Sequence, residues 1–81
     1  MTVTTLFFAS YRDLAGVGEL EVELPAGSTV ADLIARVQET RPGLAALPAA
    51  VAVAVNRQYS ALDRALSDSD EVAFIPPVAG G

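Results

Sequence analysis

The chain contains no cysteine and no histidine, and its five positive charges are all arginine, so lysine is absent as well. Without cysteine there is no disulfide scaffold, no thiolate zinc site and no thiol nucleophile. Without histidine the commonest general base and the commonest transition-metal ligand are missing. Without lysine the chain forms no internal Schiff base and offers no side-chain amine as an isopeptide acceptor. Such side chains are poorly equipped to catalyse a reaction by themselves. Positive charge is also scarce, since ten acidic residues against five arginines give a net charge of −5. A surface of that sign repels phosphate backbones, which argues against nucleic acid and favours basic protein partners.

Long hydrophobic runs are missing too. The longest uncharged apolar stretch, residues 43–55, is interrupted by Pro48 and falls short of the about 20 residues a membrane span needs. No basic region precedes the apolar N-terminal run, so it does not read as a signal peptide, and a cytoplasmic protein is expected. What is present is a high apolar fraction, 52% of 81 residues. A chain this short buries only about 60% of the surface its unfolded form exposes. It can build one sheet backed by one helix, but not a self-contained barrel or doubly wound enzyme.

Residues 3–8 are β-branched and aromatic and read as a strand. Alternation places Val3, Thr5 and Phe7 on one face and Thr4, Leu6 and Phe8 on the other. Both faces carry large apolar groups, and a domain this small covers only one of them. Residues 19–24 alternate more cleanly, with Leu20, Val22 and Leu24 inward and Glu19, Glu21 and Glu23 outward, as in a half-exposed antiparallel strand. The intervening 12–18, holding Gly16 and Gly18, reads as a hairpin connection.

Thr29 is placed to cap a helix, with Asp32 as a shortened capping-box partner. Val30, Leu33, Ile34 and Val37 then make one apolar helical stripe. Arg41-Pro42-Gly43 ends it after about three turns, because Pro42 disfavours helical geometry in the residue before it. Residues 44–50 read as a loop or short turn. Residues 51–55 form a third strand, with Val51, Val53 and Val55 on one face. Residues 56–70 carry turn formers with Leu62 and Leu66 as apolar anchors. Residues 71–75 make a fourth strand, with Val72 and Phe74 opposed by Ala73 and Ile75. Pro76 and Pro77 end sheet pairing, since neither can donate to a ladder.

The order strand, strand, helix, strand, irregular segment, strand is that of a β-grasp arrangement. It is an α+β class with a mixed sheet and one main helix across one face. Residues 1–75 make the domain and 76–81 an extended C-terminal tail. The acidic trio Asp68, Asp70 and Glu71 reads as a solvated turn, and no metal site is expected.

The tail carries the chemistry this chain can offer. Glycines at 80 and 81 have no side chain to block a narrow channel on a partner enzyme, and they adopt backbone angles closed to other residues. The terminal carboxylate, with an ordinary pKa of about 3.3–3.7, is ionised and can attack the α-phosphate of ATP. Alone, a Gly-Gly end equally describes a frayed terminus. Here it follows a stiff Pro-Pro pair directly after a strand.

Three segments carry a resemblance that spans nearly the whole chain: Leu6-Phe7-Phe8-Ala9 with Arg12, Asp13 and Leu14; Val53-Ala54-Val55-Asn56; and the block from Asp70 through Pro76-Pro77-Val78-Ala79-Gly80-Gly81. They resemble the sulfur carriers of the MoaD/ThiS family, and the Pro-Pro before the tail favours the MoaD branch, which serves molybdopterin synthase. The resemblance implies a ubiquitin-like β-grasp fold and a defined cycle. A MoeB-type enzyme adenylates Gly81 with ATP and Mg²⁺. A cysteine desulfurase or rhodanese-type donor then supplies sulfur to make a thiocarboxylate. The large synthase subunit, which holds the catalytic residues, finally transfers that sulfur to cyclic pyranopterin monophosphate.

On this reading Val78, Ala79 and Gly80 thread into partners, while Leu6, Phe8, Ile75, Pro76 and Pro77 meet them. Arg12 is either a solvated charge or an interface anchor. No cofactor is held permanently, and the chain alone is not catalytic. Ser69 departs from the family, which commonly has Gly there; a positive φ would cost it roughly 1–2 kcal/mol. The alternatives are a related carrier for thiamin, cysteine or tRNA thiolation, a ubiquitin-like protein modifier, or a plain interaction domain.

Overall fold

A computed structural model describes residues 1–77; Val78, Ala79, Gly80 and Gly81 lie outside the described residues. Strand β1 (Thr2–Phe7) buries Val3, Thr5 and Phe7, as alternation requires. Strand β2 (Glu19–Glu23) pairs with it antiparallel, Val22 opposite Val3 and Leu20 opposite Thr5. The connection between them corrects the hairpin expected at residues 12–18. It contains a short helix, α1 (Ala9–Ala15), which buries Tyr11 and Ala15. Gly16 closes α1 in the left-handed region at φ 78°, its N–H donating to the Arg12 carbonyl at 2.9 Å. Gly16 is thus a helix stop. Phe8 is also corrected, because it caps α1 rather than ending the strand.

Helix α2 (Val30–Thr40) forms as the sequence predicts. Thr29 and Asp32 exchange both capping-box bonds, and Val30, Leu33 and Val37 are fully buried. Ile34 is only half-buried and packs against the core from its side. Burying each of those three side chains contributes about 1.5–3 kcal/mol, which is what holds the helix to the sheet. The loop or short turn expected at 44–50 begins as a 3₁₀ turn, Pro42–Ala46, that buries Leu44.

Strand β3 (Ala52–Val55) follows, then β4 (Gln58–Ser60), then β5 (Glu71–Ile75). Strand β4 was not expected from the sequence, so the four predicted strands become five. Their order is β2-β1-β5-β3-β4, with β5 parallel to β1 and all other pairs antiparallel. The sheet is therefore mixed, with β5 at its centre. Phe7 and Phe74 meet beneath α2 with ring centroids 5.2 Å apart and planes tilted by 55°. This is the inclined geometry aromatic pairs prefer.

Candidate functional site

Register decides which residues share the sheet face opposite α2. Thr2, Thr4 and Leu6 of β1 stand beside Glu23, Glu21 and Glu19 of β2. Glu71 and Ala73 of β5 stand beside Thr4 and Leu6. Ala54 lies between Ala73 and Tyr59, and Ala52 beside Ile75. Opposed residues on one face sit about 4.5–5.5 Å apart, so these rows are continuous. The open face therefore has two halves. One is acidic, a column of three glutamates on edge strand β2. The other is apolar, running from Leu6 through Ala73 and Ala54 to Tyr59, with Ile75 and Ala52 in the next row.

The apolar half surrounds the point where the chain leaves the sheet. Ile75 and Pro76 are half-buried and Pro77 is exposed. Together with Tyr11, Pro48, Ala52 and Tyr59 they line an open groove of about 300 Å³. Two large apolar side chains stand out from the surface, Phe8 at 48% exposure and Tyr59 at 77%. Leu6 is half-buried on the same face.

The structure thus brings Leu6, Ile75 and Pro76 to one side of the molecule, with Phe8 just beyond the end of β1. Arg12 is exposed on α1, with its side chain beside Gly18 at the entry to β2. Gly81, Gly80, Ala79 and Val78 fall outside the described residues. Sequence reasoning missed Tyr59 because it sits on the strand that was not expected.

The carboxylates of Asp68 and Asp70 are engaged in building turns. Asp68 accepts the Thr2 N–H at 2.7 Å. Asp70 accepts the Ser67 N–H at 2.8 Å and the Asn56 amide at 2.9 Å. The Ser67 hydrogen bond is the largest influence holding the Asp70 carboxyl below its ordinary value of 3.8; burial opposes it, and the Asn56 amide and Arg64 charge assist it. Among the described residues no group of three His, Cys, Asp or Glu side chains converges to hold a metal. Ser69 does adopt a positive φ, 70°, in the turn that enters β5. Among the described residues no helix is long and apolar enough to cross a membrane.

The model of the ThiS family matches residues 5–81. The chain belongs to the ThiS family. Among its relatives, the molybdopterin synthase sulfur carrier subunit of Chlamydomonas reinhardtii is 39% identical over 83 aligned positions, covering all of both chains. Among solved structures, SAMP1 from Haloferax volcanii superposes with a TM-score of 0.91 at 27% identity, again over all of both chains. Subunit 1 and 2 of the molybdopterin-converting factor of Helicobacter pylori were solved as a protein–protein complex. This ThiS-family chain matches that structure with a TM-score of 0.73, 27% identity and full coverage of both chains. The β-grasp fold expected from element order is the fold of these structural neighbours.

Proposed function

We propose that the chain is the sulfur carrier subunit of a molybdopterin synthase and works through the carboxylate of Gly81. The observation that carries this reading is similarity along the whole chain to relatives of that name. It is supported by an apolar face that ends where Pro76 and Pro77 lead into the tail. In this reading an adenylating enzyme supplies ATP and Mg²⁺ and attaches AMP to Gly81. A persulfide donor displaces the AMP to give an acyl disulfide, and a second thiol of the donor cleaves it reductively to leave a thiocarboxylate. The large synthase subunit directs that sulfur to cyclic pyranopterin monophosphate in the cytoplasm. Leu6, Phe8, Tyr59 and Ile75 supply apolar contact with those partners, and the glutamates of β2 favour a basic rim on them.

The test is reconstitution with the large synthase subunit of the same host. Co-elution, with molybdopterin formed only when the carrier bears a thiocarboxylate, is the expected result. A thiocarboxylated carrier that yields no molybdopterin with that subunit refutes the assignment.

A second reading, as a protein modifier, is favoured by the SAMP1 superposition. Its signature is an amide bond from Gly81 to lysines of other proteins, visible by mass spectrometry after capture through an N-terminal tag.

A further inference from the structure

We propose that the chain is a donor-only carrier: once Gly81 is activated, neither its own copy nor a second copy offers an acceptor for the acyl group. This rests on the reading of Gly81 as the activated group. An acyl-adenylate is consumed when an amine lone pair attacks the carbonyl carbon. The C–N bond forms, the C–O bond to phosphate breaks, AMP leaves with the electron pair, and the new ammonium gives its proton to solvent. A thiolate reacts in the same way to give a thioester. The chain has neither lysine nor cysteine. Its five arginines carry delocalised guanidinium groups, which offer donors only and no lone pair for attack. Hydroxyl groups are weak nucleophiles unless a base activates them, and there is no histidine to do so.

That leaves the amine of Met1, which the fold holds half-buried and hydrogen-bonded. The amine donates to the Leu24 carbonyl at 2.8 Å, and the Leu24 N–H donates back to the Met1 carbonyl at 2.9 Å. The first residue is therefore an extension of the β1–β2 ladder.

Topology also puts it at the wrong end of the molecule. Strands β1 and β5 run parallel, with Thr4 beside Glu71. Met1 lies three residues before Thr4, and Pro77 lies six beyond Glu71. At about 3.3 Å per residue, the amine is roughly 30 Å from Pro77 along the strand direction. The four residues after Pro77 span at most about 14 Å even when fully extended. The activated end cannot reach its own α-amine while the domain is folded.

The consequence is specificity by omission. The activated chain is consumed by sulfur, by a partner or by water, and in protein modification it adds singly rather than in chains.

The test uses the full chain with a Gly81 thioester made by intein cleavage. No activating enzyme is involved, so the outcome is independent of whether the sulfur-carrier reading holds. Incubation at about pH 8 leaves much of an ordinary α-amine unprotonated while lysine stays mostly charged, which weighs against the proposal. The expected result is monomer only, as thioester or hydrolysed acid. Ala52→Lys places an amine on the exposed position beside Ile75, and Arg57→Lys places one on an exposed turn. Each is expected to shift protein to double-mass, amide-linked dimer or to a ring lacking the mass of the thiol. The proposal is overturned if the native chain links to itself as readily as these variants. It is equally overturned if both folded variants remain monomeric acids, because acceptor content would then not govern the reaction.

Discussion

Asn56 and Asp70, 14 residues apart, fasten the β3–β4 turn to the start of β5: the Asn56 Nδ2 donates to Asp70 Oδ1 at 2.9 Å. The other end of the same amide accepts the Glu71 N–H at 3.0 Å. Asp70 also ties back the Ser67 N–H. One amide and one carboxylate thus tie the β3–β4 turn to the segment that enters the central strand.

Because the folded Asp70 carboxyl titrates below 3.8, it stabilises the fold above that value. The contribution is lost as pH falls from about 4 through the lower folded pKa. Asp70→Ala is expected to cost about 1.5 kcal/mol at neutral pH, the low end for a hydrogen bond to a charged group. The gap between the variant and the native chain should narrow as pH falls below 3.8 and the native carboxyl is protonated. Thermal melts across that range check the sign; a gap that widens in acid would contradict it.

Gly43 is required by close approach rather than by an unusual φ. A Cβ there would overlap the Leu14 carbonyl oxygen, where α1 packs against the 3₁₀ turn. Gly43→Ala must push these elements apart and is expected to cost about 1–3 kcal/mol, the usual range for overpacking. Urea denaturation measures this directly. Gly27→Ala, by contrast, meets no neighbour but is strained by its φ of 86°.

Thr5 is fully buried in the middle of β1, and its hydroxyl has no hydrogen-bond partner among the described residues. Replacing that hydroxyl by a methyl group removes an unpaired polar atom at nearly constant shape. Thr5→Val is expected to stabilise the domain by about 1–2 kcal/mol. Partner binding should not change, because position 5 faces α2. A loss of stability would show that the hydroxyl is satisfied in solution.

Phe8→Asp separates interface from core. Phe8 is the N-cap of α1 and makes no side-chain cap bond. Aspartate is among the better N-cap residues, so the melting temperature is expected to hold or rise slightly. Affinity for the large synthase subunit, read by calorimetry, is expected to fall. Val22→Asp buries a charge in the core and is expected to unfold the chain. Unfolding by Phe8→Asp as well would make Phe8 a core residue.

The elements legible in the sequence were those with a complete local signal. Helix α2 shows its cap, its stripe and its proline stop, and β2 alternates without exception. Helix α1 is short, and Gly16 and Gly18 read as hairpin punctuation, although Gly16 is the stop of a helix. The spacing of Tyr11, Leu14 and Ala15 was the signal available. Strand β4 was hidden because its turn places Asn56 at φ 50° and Arg57 at φ 72°. Two positive φ values are the mark of a tight hairpin, but that turn usually announces itself with glycine in the second position. Tyr59 was lost along with the strand. The open face was legible as a second apolar face, because Leu6 and Phe8 alternate with a core set that one helix can cover. Its acidic half needed the register of β2 against β1.

The central claim is that the Gly81 carboxylate is the working group, and the most direct measurement is intact mass after activation. Native chain, chain lacking Gly81 and chain with one residue added after Gly81 are each incubated with the adenylating enzyme, ATP, Mg²⁺ and a sulfur donor. Each change displaces the carboxylate by about 3.3–3.6 Å in an extended chain, and even 1 Å can cost about 100-fold where a reacting group must occupy a fixed site. The expected result is one oxygen-for-sulfur exchange in the native chain and none in either variant, with melting temperatures unchanged. Equal sulfur gain by the extended chain, shown by mass to be untrimmed, would contradict the claim.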